Sequence, residues 1–163
     1  MLSFLKPRLY IQLSPERVML KNPKAGSVLF ERPEMAVSGG AKPVILGVGS
    51  ETRMAAQAHP GSTVVNPFAH PRSMVPDFTA AEQLLKELLR RCLGSGIMRL
   101  SPSVVMHPLG SPAGGFTQVE NRAFRELGLG LGAAEVFVWN GRALTDDEVR
   151  TRDTPPPAGR WVN

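Results

Sequence analysis

Apolar and polar positions alternate through Leu9–Leu13, with Tyr10 and Ile11 among them, and predict a strand. "SPE" (Ser14–Glu16) turns the chain, and Val18, Met19 and Leu20 predict a second strand over Arg17–Lys21. "NPKAG" (Asn22–Gly26) turns it again before Ser27–Phe30, so the chain opens as an antiparallel meander. Met35–Val37 and Val44–Val48 are further short extended pieces, as is the stretch around Val64 and Val65. Ser50 is placed to cap a short helix with Met54, Ala55 and Ala58 on one side, and His59-Pro60-Gly61 ends it.

Two longer segments carry a helical period. Leu84, Leu85, Leu88, Leu89 and Cys92 recur at spacings of three and four, and either Asp77 or Thr79 can cap that helix, with Glu82 three residues after Thr79. In the second, Thr117 with Glu120 forms a capping-box pattern ahead of a stripe of Val119, Ala123, Phe124 and Leu127. Strands at Ser103–Gly110 and Glu135–Trp139 flank this helix, which implies a parallel crossover. "TDDEV" suits one helical turn, and "TPPPAGRWVN" shows no core-forming pattern and reads as a frayed tail. The expected organisation is therefore an N-terminal segment (1–8), one domain (9–150) and a flexible Pro-rich tail (151–163).

Composition narrows the classes. At 163 residues and 42% hydrophobic, the chain suits one domain with a real core. The net charge of +5 is scattered, and aromatics are 6% with none alternating with basic residues, which argues against nucleic acid as a partner. Cys92 is the only cysteine, so no intrachain disulfide and no cysteine metal site form, as expected for a reducing, cytoplasmic setting. No apolar run approaches the roughly 20 residues of a membrane span. His59, His70 and His107 each stand beside a proline at irregular spacing, a weak pattern for a metal site. Cys92 reads as core packing rather than as a nucleophile paired with His107. "GGF" before the second helix is a weak candidate for an anion at a helix N-terminus.

Three stretches resemble the front of the bacterial actin-like, rod shape-determining MreB family. "LYIQLSPERVML" takes the place of the family's opening hairpin, I-D-L-G-T-x-N. "GVGSETRMAAQAHPGSTVVNP" followed by "PDFTAAEQLLKELLRR" resembles its VG-x-A-x-x-M…P-G stretch and the "DF" that opens a long helix. "TQVENRAFRELGLGLGAAEVFV" is similar to T-x-V-E-R-R-A-x-x-E…A-G-A-x-x-V-x-L, with Thr117, Val119, Glu120, Arg122, Ala123, Glu126, Gly132, Ala133 and Val136 in register. The resemblance covers roughly residues 8–139, less than half of a two-lobed actin-like chain. It implies a single actin-like, ribonuclease H-like α/β lobe: a mixed sheet of antiparallel meander plus parallel strands, with two main helices.

The resemblance also implies where chemistry would sit. Gln12 stands at the family's metal-adjacent Asp and supplies no negative charge for Mg²⁺. Ser14 and Pro15 stand at the phosphate-facing Gly-Thr turn, and proline has neither a backbone N–H nor a hydroxyl. Asn140 and Gly141 stand where the family has Glu-Glu, one of which orients the attacking water, and Asn-Gly reads as a turn. Asp77 matches the Asp before the long helix and reads as its N-cap. No cofactor and no metal are therefore expected. The expected function is that of a catalytically inactive actin-like protein working by protein–protein contact, with a filament-forming relative or a second copy as partner. Arg142, Asp146, Asp147 and Arg150 are candidates for repolarising a face that would otherwise meet a second lobe. Leu2, Phe4 and Leu5, ahead of Lys6 and Arg8, are candidates for weak peripheral membrane contact. The other alternative is an unrelated small enzyme reusing the fold.

Overall fold

The computed structural model describes residues 6–69, 77–94, 96–110, 116–152 and 159–162. Leu2, Phe4, Leu5, His70 and the Gly114-Gly115 pair lie outside the described residues, as does the side chain of Cys92.

A six-stranded mixed sheet runs in the order β3-β2-β1-β7-β8-β9. Its antiparallel half is the meander β1 (Arg8–Leu13), β2 (Val18–Asn22) and β3 (Ser27–Glu31). Its parallel core joins β1, β7 (Ser103–Pro108) and β8 (Glu135–Gly141), and β9 (Gly159–Val162) adds antiparallel to β8. A second sheet of β4 (Met35–Val37), β5 (Ile45–Val48) and β6 (Thr63–Val65) is ordered β5-β4-β6. A 3-10 turn (Gly49–Glu51) and α1 (Thr52–Ala58) lie between β5 and β6.

Strand alternation sorts β1 into two faces. Leu9, Ile11 and Leu13 join Val18, Leu20, Val104, Met106, Val136 and Val138 in the main core, under α2 (Phe78–Leu93) and α3 (Gln118–Gly130). Leu84, Leu85, Leu88 and Leu89 of α2 are each at most 1% exposed, and burial of each contributes about 1.5–3 kcal/mol. Tyr10 and Met19 face the other way, into a smaller core with Val105, Trp139, Leu144 and Val149. α4 (Asp146–Thr151) supplies Val149, so both faces of the central strands are covered, as parallel strands require.

The helix ends follow local chemistry. Asp77 caps α2, its carboxylate accepting the Ala80 N–H at 3.0 Å, while Glu82 pairs with Lys86 instead of completing a box with Thr79. Thr117 and Glu120 form the expected capping box on α3. Thr145 and Glu148 form a second one on α4.

Four expectations are corrected. Ser50 does not cap α1: its N–H donates to Glu31 at 2.8 Å and its hydroxyl to the same carboxylate, in a 3-10 turn that precedes the helix. Met54 is 78% exposed and packs nothing on the predicted side. Val119 is 76% exposed, and the buried stripe of α3 runs instead through Asn121, Phe124, Leu127 and Gly128. The frayed tail does not extend to Gly159–Val162, which pair with β8 because Trp161 packs on Trp139 at 4.9 Å between centroids and edge-on to Phe137.

Candidate functional site

The end of the sheet where β1, β7 and β8 finish is where the sequence places the phosphate-site residues. In the β1–β2 hairpin, the Ser14 N–H donates to the Arg17 carbonyl at 3.0 Å. The Ser14 hydroxyl donates to the same carbonyl at 3.1 Å and accepts the Arg17 N–H at 3.0 Å. Both polar groups of Ser14 are thus spent on closing the turn. Pro15 is exposed, and its carbonyl accepts the Asn66 side-chain N–H at 2.8 Å.

Gln12 points away from that turn. It is 6% exposed, and its amide donates to the Tyr10 hydroxyl at 3.0 Å. Residues two apart on a strand share a face, so this bond is built into the alternation of β1. Across the parallel ladder Gln12 is in register with His107. His107 is 1% exposed; its Nδ1 lies 2.7 Å from the Tyr10 hydroxyl and its Nε2 lies 2.9 Å from the Gly141 carbonyl. The Tyr10 hydroxyl also accepts the Leu144 N–H at 3.1 Å. Burial pushes the Tyr10 phenol above its ordinary pKa, against the opposing pull of the Leu144 and Gln12 hydrogen bonds. Burial likewise holds His107 below the ordinary imidazole value, against the opposing pull of the Gly141 carbonyl.

Asn140 and Gly141 are not a turn. β8 continues through them because they pair with Arg160 and Gly159 of β9. Arg142 follows, and its carbonyl accepts the Trp139 indole N–H at 2.8 Å. Its guanidinium grips Glu148 through two bonds of 2.7 and 3.0 Å and, with the Thr145 N–H, lowers the Glu148 carboxyl to about 2. Lys21 pairs with Asp146 at 2.6 Å, and Asp147 pairs with Arg150. The four charged residues after β8 thus hold α4 together or tie it to β2.

The structure brings Gln12 and Gly141 within one hydrogen-bonded chain and leaves Ser14 and Pro15 outside it, on the exposed tip. Sequence reasoning missed the two residues that join them. From sequence, Tyr10 shows only strand propensity and His107 only a weak metal or cysteine-partner pattern. The available signal was spacing: Tyr10 and Gln12 are an i, i+2 pair on a strand whose neighbour carries a polar residue. Among the described residues no group of three His, Cys, Asp or Glu is arranged to hold a metal ion. His59 is exposed, with Nδ1 2.9 Å from the Ala55 carbonyl, and Asp77 is occupied as a helix cap.

The MreB/Mbl protein family model matches residues 8–144. The chain belongs to the MreB/Mbl family. The cell shape-determining protein MreB of Escherichia coli K12 is 30% identical over 135 residues, covering 80% of this chain and 37% of that protein. Its counterpart in Haemophilus influenzae is 31% identical over 134 residues, covering 80% and 36%. The chain therefore spans little more than a third of the length of these relatives. MreB5 of Spiroplasma citri bound to AMPPNP superposes with a TM-score of 0.65 at 22% identity, over 82% of this chain and 38% of that one. The ADP-bound form gives 0.62 at 21% identity, over 83% and 38%. These structures share the α/β, actin-like architecture. Within the described residues, no helix of this MreB/Mbl-family chain is long and apolar enough to cross a membrane.

Proposed function

We propose that this MreB/Mbl-family chain neither binds nor hydrolyses ATP, and that it serves the cell-shape cytoskeleton by contact with another protein, a full-length actin-like relative. The observation that carries this reading is the orientation of Gln12. At the position of the family's metal-adjacent carboxylate stands a neutral amide, buried and bonded to Tyr10. A Mg²⁺–phosphate group needs anionic or water-presenting oxygens near this strand end. Here the nearest polar groups are already paired with one another.

Two further features support it. The hairpin tip directs the Ser14 N–H at Arg17 and lacks an N–H at Pro15, so two donors for phosphate are missing. Asn140 and Gly141, at the carboxylate positions, lie in the β8–β9 ladder. With the nucleotide chemistry removed, the fold offers surfaces, and a fold of this type carries function only through its sites.

Isothermal titration of the full chain with ATP and Mg²⁺ tests the first half, with no heat of binding expected up to millimolar ATP. Micromolar binding would overturn it. Co-sedimentation with polymerised full-length MreB from the same cells tests the second half. A chain that stays in the supernatant at every filament concentration rejects that partner.

A further inference from the structure

The Tyr10–His107 pair fastens one segment of the fold to the rest. Gly141 ends β8, and residues 142–145 lead into α4, which covers the smaller core with Leu144 and Val149. The buried pair holds the start of this segment: the Leu144 N–H donates to the Tyr10 hydroxyl, and His107 Nε2 bonds the carbonyl of Gly141, the residue from which the segment departs. We propose that His107 is a proton-operated latch, and that its protonation releases residues 142–151 from the sheet and uncovers the apolar surface around Trp139.

Hydrogen-bond counting supplies the mechanism. A carbonyl can only accept, so Nε2 carries the proton of the neutral ring and Nδ1 accepts from the Tyr10 O–H. The phenol oxygen then accepts two bonds, from Gln12 and from Leu144. Its one proton and two lone pairs are all used. Protonated His107 carries N–H at both nitrogens, so Nδ1–H and the Tyr10 O–H point at each other. Turning the phenol proton aside brings it against the Gln12 or Leu144 N–H. One of those bonds breaks, or the ring leaves Gly141, and the Gln12 side-chain amide and the Leu144 backbone compete for the loss. The rings are parallel to within 12°, with centroids 5.9 Å apart, and both side chains are at most 2% exposed, so the ring cannot turn to water without local unpacking.

The charged groups around the pair do not neutralise an imidazolium directly. Lys21 from β2 and Glu148 from α4 act on Tyr10 at a distance, and Arg142 from the loop after β8 is taken up by Glu148. From β1 the facing groups are Tyr10 and the neutral Gln12, and from β8 the Gly141 carbonyl. An acid proton on His107 thus arrives where no carboxylate touches the ring. The latch is independent of the nucleotide reading above, since it needs only the buried pair.

Amide exchange and tryptophan fluorescence of the full chain between pH 7.5 and 4.5 test it. Expected is a loss of Leu144 amide protection, up to about tenfold per pH unit as pH falls from about 6.5 toward the lowered His107 value, together with a red shift of emission. His107→Gln removes this pH dependence, whereas His59→Gln leaves it intact. Persistence of the same transition in His107→Gln overturns the latch, as does flat Leu144 protection in the natural chain. If His107→Gln does not fold, NMR titration of the His107 ring in the natural chain decides. Ring titration without a concurrent Leu144 amide shift overturns the proposal, and concurrent titration supports it.

Discussion

Gln12 donates its side-chain amide to the hydroxyl of Tyr10, two residues back on the same strand, at 3.0 Å. The bond keeps the Gln12 side chain, 6% exposed, inside the fold. Gln12→Asp removes the donor and places a carboxylate in a buried site, where it can be satisfied only by taking the Tyr10 proton from His107. We expect it to lower stability by about 1–3 kcal/mol in urea denaturation. We also expect no gain of Mg²⁺–ATP affinity by titration, because Pro15 and Gly141 are unchanged. Nucleotide binding by this single variant would show that one carboxylate restores the site.

Glu148 is held well down by Arg142. Its carboxyl falls to about 2 from 4.5 because the Arg142 guanidinium and the Thr145 N–H favour the charged form. A depressed acid contributes stability that is complete above about 4.5 and is lost as pH falls through about 2. NMR titration of the chain should find Glu148 still ionised at pH 3. Arg142→Ala should move its midpoint up toward the ordinary value, and an unmoved midpoint would refute the assignment.

Gly128 allows α3 to lie close on β8. A Cβ there would stand 2.6 Å from one methyl of Val136 and 2.9 Å from the other. Alanine is the better helix former by about 1 kcal/mol, and the clash opposes that gain. Overpacking costs about 1–3 kcal/mol, so Gly128→Ala should be destabilising despite helix propensity. Val136→Ala removes both methyls, and the double variant should recover part of the loss. A Gly128→Ala chain more stable than the natural one would contradict the close approach.

β9 is held by side chains as much as by its ladder. Arg152 sits 3.4 Å above the Phe137 ring and 5.6 Å from that of Trp161, closing an aromatic cluster in which Trp161 meets Phe137 edge-on. Trp161→Ala should therefore speed amide exchange over residues 138–141 and shift Trp139 emission to the red. Unchanged exchange would mean that the backbone pairing alone secures the strand.

Much of the architecture was legible because local signals agreed with tertiary ones. The α3 capping box at Thr117 and Glu120, the α2 leucines and the meander strands each needed only neighbours in sequence. Three misreadings share a cause: Ser50, Asn140-Gly141 and the tail were each decided by a partner well along the chain. Ser50 looks like a cap until Glu31, 19 residues earlier, takes its N–H. Asn140-Gly141 looks like a turn until β9 pairs with it. Trp161 and Val162 form too short an apolar group to predict a strand, and their burial depends on Phe137 and Trp139. The candidate site was legible at Gln12, Ser14, Pro15, Asn140 and Gly141 through family resemblance alone. Tyr10 and His107, 97 residues apart, met only in the folded register.

Among the described residues, polar contacts tie the smaller sheet to the larger sheet and to α2. Glu31 of β3 holds Ser50 at the 3-10 turn, Arg91 of α2 reaches Glu51 at 2.5 Å, and Asn66 after β6 holds the carbonyl of Pro15 on the hairpin tip. Ser50 and Glu51 are neighbours, so these contacts hold the smaller sheet at two places, the 3-10 turn after β5 and the end of β6, and Met35 and Val48 pack it into the main core. The smaller sheet should then tumble with the larger one as a single body, and both should report the same rotational correlation time in solution.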